Sequence, residues 1–437
     1  MGKQSKRTMY SMHSEYATLS DIGRLCPTLI EEVAPGDTWS GKIGMLYRFS
    51  PVKRALLQDL YLDSFVFYIP HRLIYADWED FVAEGPMDTP TYSLPTASVT
   101  AAATGWESLF FNSHPTESKT ISYLRTYALN LVWNEFFRDE NDAVKTPGTA
   151  PGQFGPEVSF KKDYWSELQD DIGYGQDEHF FDTNVGSGTQ ASAKDVLEAI
   201  AKQKIAMKRE TYGSRYIDIL RSYGISVNYQ MLQRPEVVAI GRSKVNITDV
   251  VQTSADTGSL GDLAGHAIGG VGLTLKRKSF PEHGTLMGFT IVRPASRSMN
   301  FGDWFDAGIL SYEDFYDPGL VPLPPVEVTK QRAIPSTLAS AASDVLGYQP
   351  WGEWYRKALS RVHPQLDDSS DPWCIAQQIA QNGTDTITSL RNITPADFNS
   401  AFSNTTYRHY QVACVNHLRA LRYIPKDNLS VITGMAG

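Results

Sequence analysis

Three apolar segments, each shut by a proline, constrain what this chain can fold into. Leu60-Tyr-Leu-Asp-Ser-Phe-Val-Phe-Tyr-Ile69 is rich in β-branched and aromatic residues and stops at Pro70. Residues 285–292 read the same way and are closed by Pro294, and the long run 410–424 is closed by Pro425. Proline lacks the N–H that a strand ladder needs, so each segment reads as a strand with a built-in end. The first and last are separated by almost the whole chain. A sheet that pairs them has high contact order, and the segments between are excursions from one core.

The remaining organisation is read around those strands. Residues 1–24 are polar, carry Lys3, Lys6 and Arg7, lack sustained periodicity, and read as an N-terminal arm. Helical spacing places Ile121, Leu124, Ala128, Leu131 and Val132 on one stripe within 120–137. A second helix is expected over 192–208 and a third over 214–223, where Gly224 supplies a left-handed stop. Stretches 86–104 and 141–188, rich in Gly, Pro, Thr and Asp, read as long surface loops, and loops of that length usually carry function. With 42% hydrophobic and 20% charged residues, the chain is expected to pack a globular core and not to be disordered. Cys26, Cys374 and Cys414 lie far apart with no CxxC pair, which suits reduced, buried thiols in a reducing cytoplasm. The opening MGKQSKR leads into no apolar core, so no secretory signal is expected, and no apolar run is long enough to span a bilayer.

Motifs that would carry chemistry fail on inspection. Gly36-Asp-Thr-Trp-Ser-Gly-Lys42 fits a phosphate-binding loop up to the lysine. The next residue is Ile43, where Ser or Thr should hold magnesium, and the following residues read as a strand and not as the helix whose N-terminus would bind phosphate. Pro35-Gly36-Asp37 is better explained as a turn between strands. Gly186-Ser-Gly-Thr-Gln-Ala191 resembles a dinucleotide fingerprint, but no strand leads into it. Ser50-Pro-Val-Lys53 has no KTG partner, and the nine histidines include no HExxH. Glu282-His283-Gly284 is read as a turn. No catalytic, cofactor-binding or metal-binding residue is expected, and the chain is read as a non-enzyme.

Net charge is −9, so a protein that touched nucleic acid over its whole surface is excluded, because phosphate neutralisation dominates such binding. Two local basic features remain. Lys3, Lys6 and Arg7 sit together near the start, and Lys276-Arg277-Lys278 form a run close to Phe280. Positive charge beside an aromatic suits single-stranded DNA, which offers phosphates and unstacked bases together. The plainer reading is a solvated sheet edge, where lysines discourage aggregation.

Several stretches, taken in order, resemble the major capsid protein of the microvirus family, with a gokushovirus-like character. Leu29-Ile-Glu-Glu-Val-Ala-Pro-Gly-Asp37 is similar to the family's "EVLPGD" strand and turn. Leu62-Asp63 through Ile69-Pro-His-Arg-Leu-Ile74 and Trp78 resembles its "YVD…FFVPNRLVW…W" segment. Asn130-Leu-Val-Trp-Asn-Glu-Phe-Phe-Arg-Asp-Glu-Asn141 is close to its "IWNEWFRDEN" helix, and Lys161-Lys-Asp-Tyr-Trp165 to its "HDYFT". Gly213–Leu220, Gln233–Glu236, Val250–Ser254, Glu282–Gly284, Leu346–Pro350 and Ser360–His363 complete the series in the family's order. The resemblance covers residues 26–365; 366–437 and the loops at 86–118 and 141–191 depart from it, as in a divergent branch.

The resemblance implies a mainly β fold: an eight-stranded antiparallel jelly-roll (viral coat) barrel with large loop and helix insertions. It divides the chain into an arm, 1–24, and a single capsid domain, 25–437, with insertions at 86–118 and 120–224. It also implies about 60 copies in a T=1 icosahedral shell around a circular single-stranded DNA phage genome. Expected partners are other copies of the chain, that genome, a small basic DNA-packaging protein, a pilot or vertex protein and a host surface receptor, with no membrane insertion. The expected location is the virion, and the host bacterial cytoplasm before and during assembly. Trp106, Phe110 and Phe111 are candidate subunit anchors, with a place in the core as the equal alternative. The rival class, a jelly-roll carbohydrate-binding protein or hydrolase, would need convergent carboxylates or a metal cluster, and none is readable.

Overall fold

The computed structural model describes residues 7–424 except 86–90, 100–108, 111–118, 141, 151–153, 170–200, 202–203, 206–207, 209–214, 227, 229–231, 252–262, 300, 307–309, 321–322, 324, 335–343, 367–371, 376–386 and 404–407. Its strands are β1 (Thr8–Ser20), β2 (Cys26–Val33), β3 (Thr38–Phe49), β4 (Leu60–Pro70), β5 (Thr96–Val99), β6 (Lys119–Ser122), β7 (Glu236–Lys244), β8 (Asn246–Val251), β9 (Leu263–Ser279), β10 (Gly284–Pro294), β11 (Val326–Thr329), β12 (Val345–Gln349) and β13 (Tyr410–Arg422). Two sheets build the body, in the orders β1-β13-β3-β9-β8 and β2-β10-β4-β7. All their pairings are antiparallel. Strands β1, β2, β3 and β4 alternate between the sheets, as do β9, β10 and β13, which is the winding of a jelly roll; β8 is an added edge strand.

The proline-closed segments fall where expected. Pro70 ends β4 opposite Gly284, and Pro294 ends β10 opposite Leu60, so the two central strands share a frame set by their prolines. Pro35-Gly36-Asp37 is the turn between β2 and β3. Gly36 has φ +81°, and the Asp37 carboxylate accepts the Ala34 N–H at 3.0 Å. The would-be phosphate loop therefore runs straight into a strand.

Two expectations are corrected. Residues 8–20 are not an arm: they form β1, paired with β13 from Thr8↔Arg422 to Ser20↔Tyr410. The segment 120–137 is not one helix. It begins in strand β6 and continues as α-helix Leu124–Val132, then widens into a π-helical turn, Trp133–Phe137. The wide turn lays two successive phenylalanines on the sheet. Phe136 meets Phe67 at 4.9 Å between ring centroids, and Phe137 meets Phe65 at 5.4 Å. The helix expected at 214–223 is found at Tyr216–Ser222. That expected at 192–208 lies almost entirely outside the described residues, as does Gly186–Ala191.

The two sheets differ in what covers them. Phe65 and Phe67 point out of the barrel and are roofed by Phe136 and Phe137, so β10 is buried along almost its whole length. Strands β3 and β13 instead alternate buried and exposed residues, the pattern of a sheet with one wet face. The main core lies between the sheets around Trp39, Tyr47, Leu62, Val66, Leu286 and Tyr410. A second core cluster gathers Tyr164, Trp165, Leu168, Phe301, Trp304 and Val328 around the β11–β12 hairpin.

The most family-like stretch turns out to be scaffold. Asn130 donates through its amide to the carbonyls of Thr146, Pro147 and Thr149 at 3.3, 2.9 and 2.7 Å. Asn134 exchanges two hydrogen bonds with the Lys145 backbone, and the Trp133 indole donates to Glu157 O at 2.7 Å. The helix thereby roofs one sheet and holds the loop that follows it.

Candidate nucleic-acid interface and assembly surface

Register puts a defined set of side chains on the uncovered outer face of the five-stranded sheet. Across four strands the rows read His13–His417–Lys42–Thr274, then Glu15–Val415–Gly44–Gly272, then Ala17–Ala413–Leu46–Gly270, then Leu19–Gln411–Arg48–Ile268. A flanking row carries Ser11–Arg419–Ser40. His13 and His417 stack, with ring centroids 4.6 Å apart and planes 18° from parallel. Lys42, Arg48 and Arg419 are exposed, and no carboxylate lies within ion-pair distance of them among the described residues.

The basic run at 276–278 joins this face through a bulge. Trp39 pairs with Lys278 and Gly41 with Leu275, so β9 spends one more residue than β3 between the two pairs. The bulge breaks the inward–outward alternation, leaving both Lys276 and Arg277 exposed and without an ion partner among the described residues. Lys278 is different. It is half-buried and neutralised by Glu236, so it is withdrawn as a free cation. Arg7, at the start of β1, donates to Thr38 Oγ1 at 3.3 Å and lies over the Tyr423 ring. Lys3 and Lys6 lie outside the described residues.

The anchor residues fare unevenly. Phe110 is only 2% exposed and belongs to the main core, so it is not a surface anchor. Trp106 and Phe111 lie outside the described residues. An exposed aromatic surface exists elsewhere, where Phe305, Tyr312, Phe315, Tyr316 and Tyr355 cluster over the second core, Tyr312 at 71% exposure. Beneath them Trp304 and Trp354 stack at 4.1 Å, and the Trp304 indole donates to Asp314 at 2.8 Å. Trp351 and Trp354 donate to the carbonyls of Glu313 and Asp314 at 2.8 and 3.0 Å, so the loop bearing the exposed rings is rigidly held. Rigid, exposed aromatics are the residue type that protein interfaces favour.

Nothing in the described residues resembles a reaction centre. No group of three or more His, Cys, Asp or Glu side chains among them is placed to hold a metal ion. A cavity of about 310 Å³ beside the π-helical turn is lined by Arg138, Asp139, Glu140, Lys162, Arg215 and Arg293. Its charges answer one another: Lys162 pairs with Glu140 at 2.9 Å, and Arg138 donates to the carbonyls of Asp139 and Glu140. Glu282-His283-Gly284 is the β9–β10 turn, and Glu282 pairs with Arg72 at 3.2 Å. No helix among the described residues is long and apolar enough to cross a membrane.

Sequence reasoning missed His13, Lys42, Arg48, His417 and Arg419. The available signal was polar residues at alternate positions inside apolar strands, as in Lys42–Arg48 and His417–Arg419.

Comparison with known proteins agrees with this architecture. Residues 2–164 and 169–432 match the family of phage proteins described as "Capsid protein (F protein)". Capsid protein F of Escherichia phage G4 is 26% identical over 429 residues, covering 94% of both chains. Capsid protein VP1 of Bdellovibrio phage phiMH2K is 26% identical over 357 residues, covering 62% of this chain and 66% of its own. Capsid protein VP1 of Chlamydia phage 1 is 29% identical over 147 residues, 31% of this chain and 25% of its own. The chain belongs to the microvirus capsid F-protein family, a family of structural shell proteins and not of enzymes.

Proposed function

We propose that this chain is the major capsid protein of a small phage, and that about 60 copies close into a T=1 icosahedral shell around a circular single-stranded DNA genome. Family membership along nearly the whole chain carries this reading, and the two-sheet body with one roofed and one bare face is consistent with it. A sheet roofed on one side and open on the other gives a wall with two chemically distinct surfaces. One capsid domain, which β1 extends back to residue 8, carries excursions at 86–118 and 120–224 that supply contacts to neighbours. The exposed rings at Phe305, Tyr312, Phe315, Tyr316 and Tyr355 are the copy-to-copy anchors in place of Phe110.

The acidic total sets a condition on the genome. A chain of net charge −9 neutralises DNA only locally, so a small basic packaging protein or counterions must supply the remainder. A pilot or vertex protein and a host surface receptor complete the partners. Assembly proceeds in the host bacterial cytoplasm, where Cys26, Cys374 and Cys414 remain buried free thiols.

Sedimentation tests the proposal. Co-expressed with its phage partners, the 48.7 kDa chain should pellet as particles on the order of 3 MDa. A chain that stays monomeric under those conditions would end this reading.

A further inference from the structure

We propose that the bare outer face of the β1-β13-β3-β9 sheet is the surface that holds single-stranded DNA. Lys42, Arg48, Arg419, Lys276 and Arg277 meet phosphates there, and the stacked His13–His417 pair meets an unstacked base. The inference rests on the shell reading above and deepens it by naming where the genome lies.

Charge is the first support. Five exposed cations with no ion partner among the described residues share this face, and Glu15 is the one carboxylate in its rows. Glu15 is itself 3.7 Å from the His13 ring. A chain that is acidic overall has thus concentrated uncompensated positive charge on one side of one sheet. Lys42 and Arg48 stand six residues apart along β3, a reach of about 20 Å, which is room for several nucleotides.

Glycine is the second, independent support. Gly44 and Gly272 sit directly opposite each other in the middle of the face. Neither has a positive φ, and a Cβ built on either would meet nothing within 4 Å. The chain's own packing therefore gives no reason for glycine at these two strand-interior positions, where it costs about 0.5–1 kcal/mol each. Glycine inside a strand marks a place where a ligand or another backbone approaches closely. Between the His13–His417–Lys42 row and the Arg48 row, the two glycines with Ala17, Ala413 and Gly270 leave two low patches, one at each side of the exposed Leu46, with Glu15 and Val415 at the β1–β13 end.

A polyanion fits this shape and charge better than a second copy of the chain. Two such faces pressed together would bring like charges into register, whereas a phosphate backbone lying over the low patches is flanked by cations on both sides. The stacked imidazoles offer a flat ring surface beside the patches, the arrangement by which proteins hold bases without reading sequence.

The test uses particles made by the full chain with its phage partners. In wild-type particles, ultraviolet cross-links to DNA should map to peptides containing His13, Lys42, Lys276 or His417. The triple variant K42E/R48E/R419E should still assemble but hold about fivefold less DNA, read from absorbance after sedimentation. The double variant G44V/G272V should melt no lower than wild type as an unassembled chain, yet package less DNA. Cross-links confined to the aromatic surface around Tyr312, or normal packaging by both variants, would overturn the proposal. Variants that fold but never form particles would also overturn it, because the face would then be a contact between copies. Failure of the wild-type chain to form particles at all would strike the shell reading instead.

Discussion

The Tyr47 hydroxyl on β3 lies 3.0 Å from Ser64 Oγ on β4, at the centre of the barrel and fully enclosed. The same phenol hydrogen-bonds Thr290 on β10, and Ser64 and Thr290 are 3.2 Å apart. One buried side chain thus ties the bare-faced sheet to two strands of the roofed sheet, and burial pushes the phenol up to about 12. Replacing Tyr47 with Phe leaves the Ser64–Thr290 bond intact and should cost about 1–2 kcal/mol, while Tyr47→Ala should cost about 3–5 kcal/mol through the cavity as well. Urea unfolding of the unassembled chain measures both. Equal losses in the two variants would mean the hydroxyl, and not packing, dominates.

His409 makes stability depend on pH. Its Nδ1 accepts the Ile22 N–H at 3.2 Å, so the ring proton sits on Nε2, which donates to Asn399 Oδ1 at 2.8 Å. Burial pushes this imidazole down from 6.5 to about 4, against the opposing pull of Asp21 and with help from Arg408 and Arg24. Between those values the unfolded chain binds a proton that the folded chain refuses. The stabilisation is therefore complete above pH 6.5 and is lost as pH falls toward 4, by on the order of 2–3 kcal/mol. Urea midpoints at about pH 7.5 and 4.5 should differ less in His409→Gln than in wild type. An unchanged difference would assign the pH dependence to other groups.

The parts of this fold that were legible are those whose physics is local. Strands β4, β10 and β13 declare themselves because both flanks are apolar or sharply alternating and prolines end β4 and β10. Strand β1 hid because its inward side chains, Thr8, Tyr10, Met12, Ser14, Tyr16 and Thr18, are only half-buried at a sheet edge and need no apolar alternation. Residues 119–122 have a helix-compatible pattern and were drawn into a strand by pairing with β5, a tertiary choice. Phe110 shows the limit for single residues, since an aromatic reads the same in a core as on a surface. The cationic face was illegible as a site. His13, Lys42 and His417 become neighbours only through register between strands that begin at residues 8, 38 and 410.

Gly41 and Gly44 lie three residues apart on β3 and should respond oppositely to a side chain. A Cβ on Gly41 would sit 2.2 Å from His417 O and 2.9 Å from Leu418 Cα, both backbone atoms of the paired strand. Those atoms cannot yield without prising β13 from β3. Gly41→Ala should destabilise the unassembled chain by about 2–4 kcal/mol. Gly44→Ala, pointing into open space, should be neutral or slightly stabilising. Thermal melting of the two single variants decides, and comparable losses would contradict the register described here.

Asp314 should control the aromatic surface without being part of it. Burial alone would raise this carboxyl, but hydrogen bonds from Arg332, the Ser311 N–H and the Trp304 indole outweigh it and hold it below its ordinary value. A depressed carboxyl stabilises the fold above its unfolded value of 3.8 and loses that contribution as pH falls through the folded value. Asp314→Asn keeps the size but removes the carboxylate that pairs with the Arg332 guanidinium, whose side chain is only 12% exposed, beside the Trp304 ring. Removing one partner of a buried ion pair typically costs about 3–5 kcal/mol. The loop carrying Tyr312, Phe315 and Tyr316 should then open, so limited proteolysis should cut near 311–317 in the variant and not in wild type. Particle yield should drop in step with that cleavage. Normal yield from a proteolytically open loop would show that these rings are not the anchors between copies.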